Sequence, residues 1–312
     1  MKIIYPEKQT STGSSASSEN GSFPIANLFD DKPGKLWKAA DSVQTATLRI
    51  AITATADTVA LFKTNATSAI CTITLNSAEQ TLDNAPATDE TGGVVGIPLA
   101  GHGYSTGDQI LLNGTTNYDG VHTVLASSVA GQIDITATYV AETFAGTETA
   151  CIIIETTTHT LSSTRTYNRF WQEYTSQGAA HTATIKLTTT ATTIQAGVVK
   201  AGVAVDFRNP QYGITEYPID YSTVEELSNG AKYVDSRDIV RGFSFTIDVT
   251  RASDFYNLWD IYVYFGKTPM AALMAEDIID NQWCVFGTIE SFSGSHPYPS
   301  DSTISLTFEE SV

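Results

Sequence analysis

The residues that could do chemistry are five histidines, three cysteines and several paired carboxylates. His102, His122, His159, His181 and His296 form no HxH or HExxH spacing, so no two imidazoles are set to meet on one ion. Gly101, Gly103 and Pro297 flank two of them and mark turns. There is no GxSxG elbow, no Walker loop and no GxGxxG after a strand, so neither a nucleophile nor a nucleotide site has an anchor. Glycoside hydrolysis needs two carboxylates several ångströms apart, and the visible pairs are Glu225 with Glu226, Asp277 with Asp280, and Glu309 with Glu310. Neighbours on a strand point to opposite faces, and a chain this acidic contains such pairs by chance. The expectation is a protein that is not an enzyme, with polysaccharide depolymerase ranking third among the readings.

Binding chemistry has more candidates. Asp30 and Asp31 could ligate Ca²⁺ with neighbouring carbonyls, or they could cap turns; no other cofactor is indicated. Phe23 and Trp37 could stack on a sugar ring, the alternative for Trp37 being a core anchor. Aromatics are dense from Tyr212 to Tyr264, and Tyr212, Tyr217, Tyr221 and Tyr233 are candidates for an assembly surface, because interface cores favour aromatic over charged residues. The alternative is that they fill their own core. Cys71, Cys151 and Cys284 are odd in number and far apart, which argues against a disulfide framework and for buried thiols.

The elements that must position these residues are mainly strands. Residues 1–92 hold a polar loop anchored by Phe23, Ile25, Leu28, Phe29 and Trp37, then the alternating runs ATLRIAITAT, TVALFKTN and AICTITL. From 93 to 150 the texture changes to short strands at Gln109–Leu112, Gly120–Ala126 and Gln132–Tyr139 with Gly, Asn and Asp at the turns, which reads as a small inserted β-barrel. Residues 151–204 return to long alternating strands that complete the first sandwich. From 205 to 312 a β-rich α+β module follows. Its one clear helix spans Arg251 to Tyr262, with Phe255, Leu258, Trp259 and Tyr262 on the packing face and Thr250 or Ser253 as N-cap.

Composition sets limits on partners. Hydrophobic residues make up 42% and charged residues 16% of the 312, and Thr and Ser supply much of the polar surface. β-branched Thr suits a half-exposed pleated face. A net charge of -17 repels phosphate backbones and anionic headgroups, so neither nucleic acid nor membrane insertion is expected; Lys32, Lys35 and Lys38 are too few to reverse this. The opening MKIIYPEKQ is too short in apolar residues for a signal peptide, so the chain is expected to be made and held in a cytoplasm.

Three segments carry resemblances. SSASSENGSFPIANLFDDKPGKLWKA, through Pro24, Asn27, Leu28, Asp30 and Trp37, resembles the opening of discoidin-like galactose-binding sandwiches. GHGYSTGDQILLNGTTNYDGVHTV resembles the small barrel called the first catalytic cysteine half-domain, with no adenylation motif beside it. The last third, with LSNGAKYVDSR, GKTP and SLTFEE, resembles distal-tail or minor tail proteins of long-tailed bacteriophages. That last resemblance implies a structural subunit of a tail tip, assembled in the host cytoplasm and located in the virion. Its partners would be copies of itself in a ring and the neighbouring tube, hub and tape-measure proteins. The first resemblance implies the alternative, a glycan- or receptor-binding accessory protein of the particle.

Overall fold

The computed structural model describes residues 1–75, 79–163, 167–207, 211–226, 232–249, 252–274, 283–298 and 301–311. The fold is mainly β: antiparallel sheets forming a sandwich, a small barrel inserted into it, and a β-rich C-terminal module carrying one α-helix among the described residues.

The sandwich forms because its strands alternate. Thr45–Ile52 buries Ala46, Leu48, Ile50 and Ile52 and exposes the residues between them more, as a period of two requires. It pairs along its whole length with His181–Thr188, which pairs in turn with Ser68–Leu75. The intervening residues point the other way, so Thr47, Thr72, Thr184 and Lys186 give the sheet a polar outer face.

The inserted unit has its own core of Val95, Ile97, Ile110, Leu112, Tyr118, Ile133, Ile135 and Phe144. Its strands at Gln109–Asn113, Gly120–Thr123 and Gln132–Thr136 lie where the alternation predicts them, joined by Val94–Pro98 and Thr88–Asp89, which the pattern does not mark. Leu82 and Ala87 belong to this core, so the unit begins before position 93. At its far end the strand Thr149–Thr160 serves both parts, pairing with Gln109–Asn113 through its first residues and with Ser68–Leu75 through the rest.

The sandwich and the C-terminal module share one nine-stranded sheet. They are joined by the first strand, Lys2–Glu7, which pairs with Val198–Asp206 on one side and Met270–Leu273 on the other. A division after position 204 therefore falls inside a strand. Successive residues of Lys2–Glu7 enter different cores: Ile3 packs with the helix-bearing module, while Ile4 packs with Phe62, Val198 and Phe286 on the opposite face. Central strands buried on both faces read as continuous apolar runs, as in Met270–Leu273, and their faces cannot be told from alternation.

The helix spans Ala252–Phe265 and buries Leu258, Ile261 and Phe265 against the sheet. Phe255 and Tyr262 are half-buried beside them, but Trp259 is 45% exposed, so the packing face is rotated from the one expected. Aromatic residues on several sides of this helix make the sequence pattern degenerate. Thr250 and the side chain of Ser253, the expected N-caps, lie outside the described residues.

Candidate functional site

The polar loop near the N-terminus is built around buried anchors. Trp37 is 0% exposed: its two-residue strand with Lys38 pairs with Gln195–Ala196 and closes the sandwich core. It cannot stack on a sugar, and the expectation of a glycan contact there is corrected. Phe23 is half-buried, with the Lys38 ammonium 4.2 Å from its ring centre. The two neighbouring carboxylates face different lysines. Asp30 pairs with Lys35 at 3.0 Å, and Asp31, at φ 59°, pairs with Lys200 at 2.5 Å. Among the described residues no group of three or more His, Cys, Asp or Glu side chains is placed to hold a metal ion.

The histidines and thiols are dispersed. His181 is fully buried, donating from Nδ1 to the Ala179 carbonyl (2.9 Å) and accepting the Tyr174 hydroxyl at Nε2 (2.7 Å), partners that assign its tautomer. Burial pushes its pKa down. His159 stacks on Phe170 and bonds Gln172, and burial lowers its pKa too. The side chain of His296 lies outside the described residues. Cys71, Cys151 and Cys284 are buried free thiols.

Nor do the carboxylate pairs among the described residues converge. Glu225 and Glu226 are exposed on a hairpin, and Asp277 and Asp280 lie outside the described residues. Glu309 accepts the Tyr221 hydroxyl, whereas Glu310 is clasped by Arg241 (2.7 Å) and by Arg169. Burial works to raise the Glu310 pKa, but the two guanidiniums outweigh it and hold the carboxyl below its ordinary value. Beside this cluster a cavity of about 110 Å³ lies at the seam, lined by Phe62, Lys63, Tyr167 and Phe286 among others.

Two surfaces remain as candidates for contact. The first is on the C-terminal module. Among the described residues the hairpin Thr223–Glu226 with Lys232–Asp235 pairs only with itself, and it exposes Val224, Tyr233 and Val234. On the helix, Tyr256 (62% exposed), Trp259 and Val263 fall within one narrow arc opposite the buried stripe. Of the expected assembly tyrosines, Tyr221 and Tyr233 are exposed and Tyr217 is half-buried over Gly242; the side chain of Tyr212 lies outside the described residues.

The second surface is a groove of about 280 Å³ where the outer face of the sandwich meets the inserted hairpin. Thr47, Thr72, Thr184 and Lys186 floor it, and Leu111, Asn113, Asp119 and Val121 wall it. Sequence reasoning missed it because its floor and wall are far apart in the chain.

No family model matches the chain, and no curated protein does. Among solved structures, chitosan-binding module 1 of a chitosanase/glucanase from Paenibacillus sp. IK-5 is similar at a TM-score of 0.28 and 11% identity, over 64% of this chain and 97% of that one. A selenomethionine-labelled mutant of the same module gives a TM-score of 0.30 and 11% identity, over 64% and 98%.

Proposed function

We propose that the chain is a structural subunit of a bacteriophage tail tip, a distal-tail or minor tail protein that acts by assembly. The observation that carries this reading is where the exposed apolar surface lies. Of thirteen large hydrophobic side chains exposed among the described residues, nine fall between Tyr221 and Tyr264, and the other four are on the inserted barrel. Exposed aromatic and branched side chains gathered on one module fit burial against a neighbour. The strand Gln211–Asp220, at the edge of the nine-stranded sheet among the described residues, adds an open backbone rim to the same module. The resemblance of the last third to tail proteins supplies the context: copies of itself in a ring, with tube, hub and tape-measure proteins as neighbours, in the virion. In a ring each subunit uses two complementary surfaces. Native mass spectrometry and negative-stain imaging of the purified chain should show a closed oligomer. A strictly monomeric protein absent from virions would overturn the reading.

The resemblance of the N-terminal polar loop to galactose-binding sandwiches favours a second reading, a glycan- or receptor-binding accessory role on the particle. Adhesion of the full chain to host cells, competed by soluble host glycan, tests it.

A further inference from the structure

We propose that the groove between the sandwich face and the inserted hairpin is a carbohydrate-binding site, an inference that rests on the second reading above. The floor is set by strand register. Thr47 stands opposite Lys186, and Thr184 opposite Thr72, so hydroxyls and one ammonium alternate across three strands. Thr184 is 7% exposed, and its Oγ1 is buried with no hydrogen-bond partner among the described residues while lining the groove. A buried hydroxyl without a partner is destabilising, and a ligand hydroxyl that reached it would remove that cost.

The other polar groups are also available. The Lys186 ammonium and the Asn113 side-chain amide have no hydrogen-bond or ion-pair partner among the described residues. Asp119 is fixed by two bonds from Thr115 to Oδ1, at 2.7 and 2.9 Å, which orients its carboxylate at the groove wall. Leu111 and Val121 are cross-strand partners that offer an apolar strip. A ligand matching this set carries several hydroxyls on one side and C–H groups on another, which is the chemistry of a sugar ring. The volume lies at the low end for ligand pockets, which suits about one or two sugar units. One lysine facing one aspartate gives no basis for a polyanion.

The test applies fluorescently labelled full-length chain to a printed glycan array, alongside Asn113→Ala, Lys186→Ala and Thr184→Val, with thermal melting as the control for folding. Asn113 and Lys186 are surface side chains, so these two variants should melt as the parent does. The expected result is binding to a subset of glycans that falls at least tenfold in Asn113→Ala and Lys186→Ala. Binding that persists in both variants would overturn the groove and leave the glycan reading standing. Absence of binding to every arrayed glycan would overturn both.

Discussion

The rings of Phe62 and Phe286 lie 5.5 Å apart, although three strands separate theirs in the order of the nine-stranded sheet. Four steps across a flat sheet would span roughly 19 Å. The sheet therefore curls until its two halves meet, and Ile4, Ala60, Val198 and Ala271 line the concave face between them. Arg169 reinforces the contact from the sandwich side by donating to the Cys284 carbonyl (3.2 Å) and to Glu310. Sandwich and C-terminal module should consequently unfold together. Differential scanning calorimetry is expected to show one transition for the two, and Phe286→Ala should destabilise that transition by about 3–5 kcal/mol. Separate melting of the halves, with only one of them shifted by the substitution, would contradict this.

Lys200 stands in the same concave face, 1% exposed, with its ammonium 2.7 Å from Glu7 and 2.5 Å from Asp31. A buried cation stripped of a partner is costly, whereas replacing the whole group by apolar residues is often neutral. Asp31→Ala should therefore lower stability by about 3 kcal/mol, the low end for a buried pair because Asp31 is partly exposed. Adding Lys200→Met and Glu7→Gln to Asp31→Ala, which removes every charge of the group, should recover part of that loss. Chemical denaturation of the two variants measures both effects. A triple variant less stable than the single one would show that Glu7 alone satisfies the buried ammonium.

Stability should also depend on pH through two imidazoles, the buried His181 and the half-buried His159. An unfolded histidine titrates near about 6.5, and burial places His159 and His181 below that in the fold. As pH falls past about 6.5 the unfolded chain takes up protons first, so the contribution present above that pH is lost toward the folded pKa. The melting temperature is expected to drop between pH 7 and pH 5, and His181→Gln should flatten the slope. Glu310 acts in a lower window, losing its contribution as pH falls from the ordinary carboxylate range toward its depressed folded pKa. An unchanged slope in His181→Gln would assign the acid sensitivity elsewhere.

Alternation in the sequence revealed the sandwich strands, three barrel strands and the helix, because each reports on a single buried face. It failed where burial is set by distant partners. At Trp37, within a run of Ser, Asn, Asp and Lys, it left a sugar contact and a core anchor both open, and pairing with Gln195–Ala196 decides for the core. Lys200 interrupts an apolar run and would pass for a surface position, but the curl of the sheet buries it. The groove depends on Asn113 meeting Thr184 and Lys186 across the inserted unit, a juxtaposition that no local pattern encodes.

The helix has two apolar sides, and only one is used within the described chain. Leu258, Ile261 and Phe265 face the sheet, while Tyr256, Trp259 and Val263 face outward. Trp259 still touches the Phe292 ring, with centres 5.5 Å apart, so part of its surface is spoken for and Tyr256 and Val263 are the cleaner probes. A carboxylate at either position should leave folding intact, since both are more than half exposed, and should oppose burial against an apolar partner. Tyr256→Glu combined with Val263→Glu is expected to shift the chain from oligomer to monomer in native mass spectrometry while the melting temperature stays within a few degrees of the parent. If the double variant assembles normally, the outward stripe is not the assembly surface, and the exposed hairpin carrying Val224 and Val234 becomes the segment to substitute next.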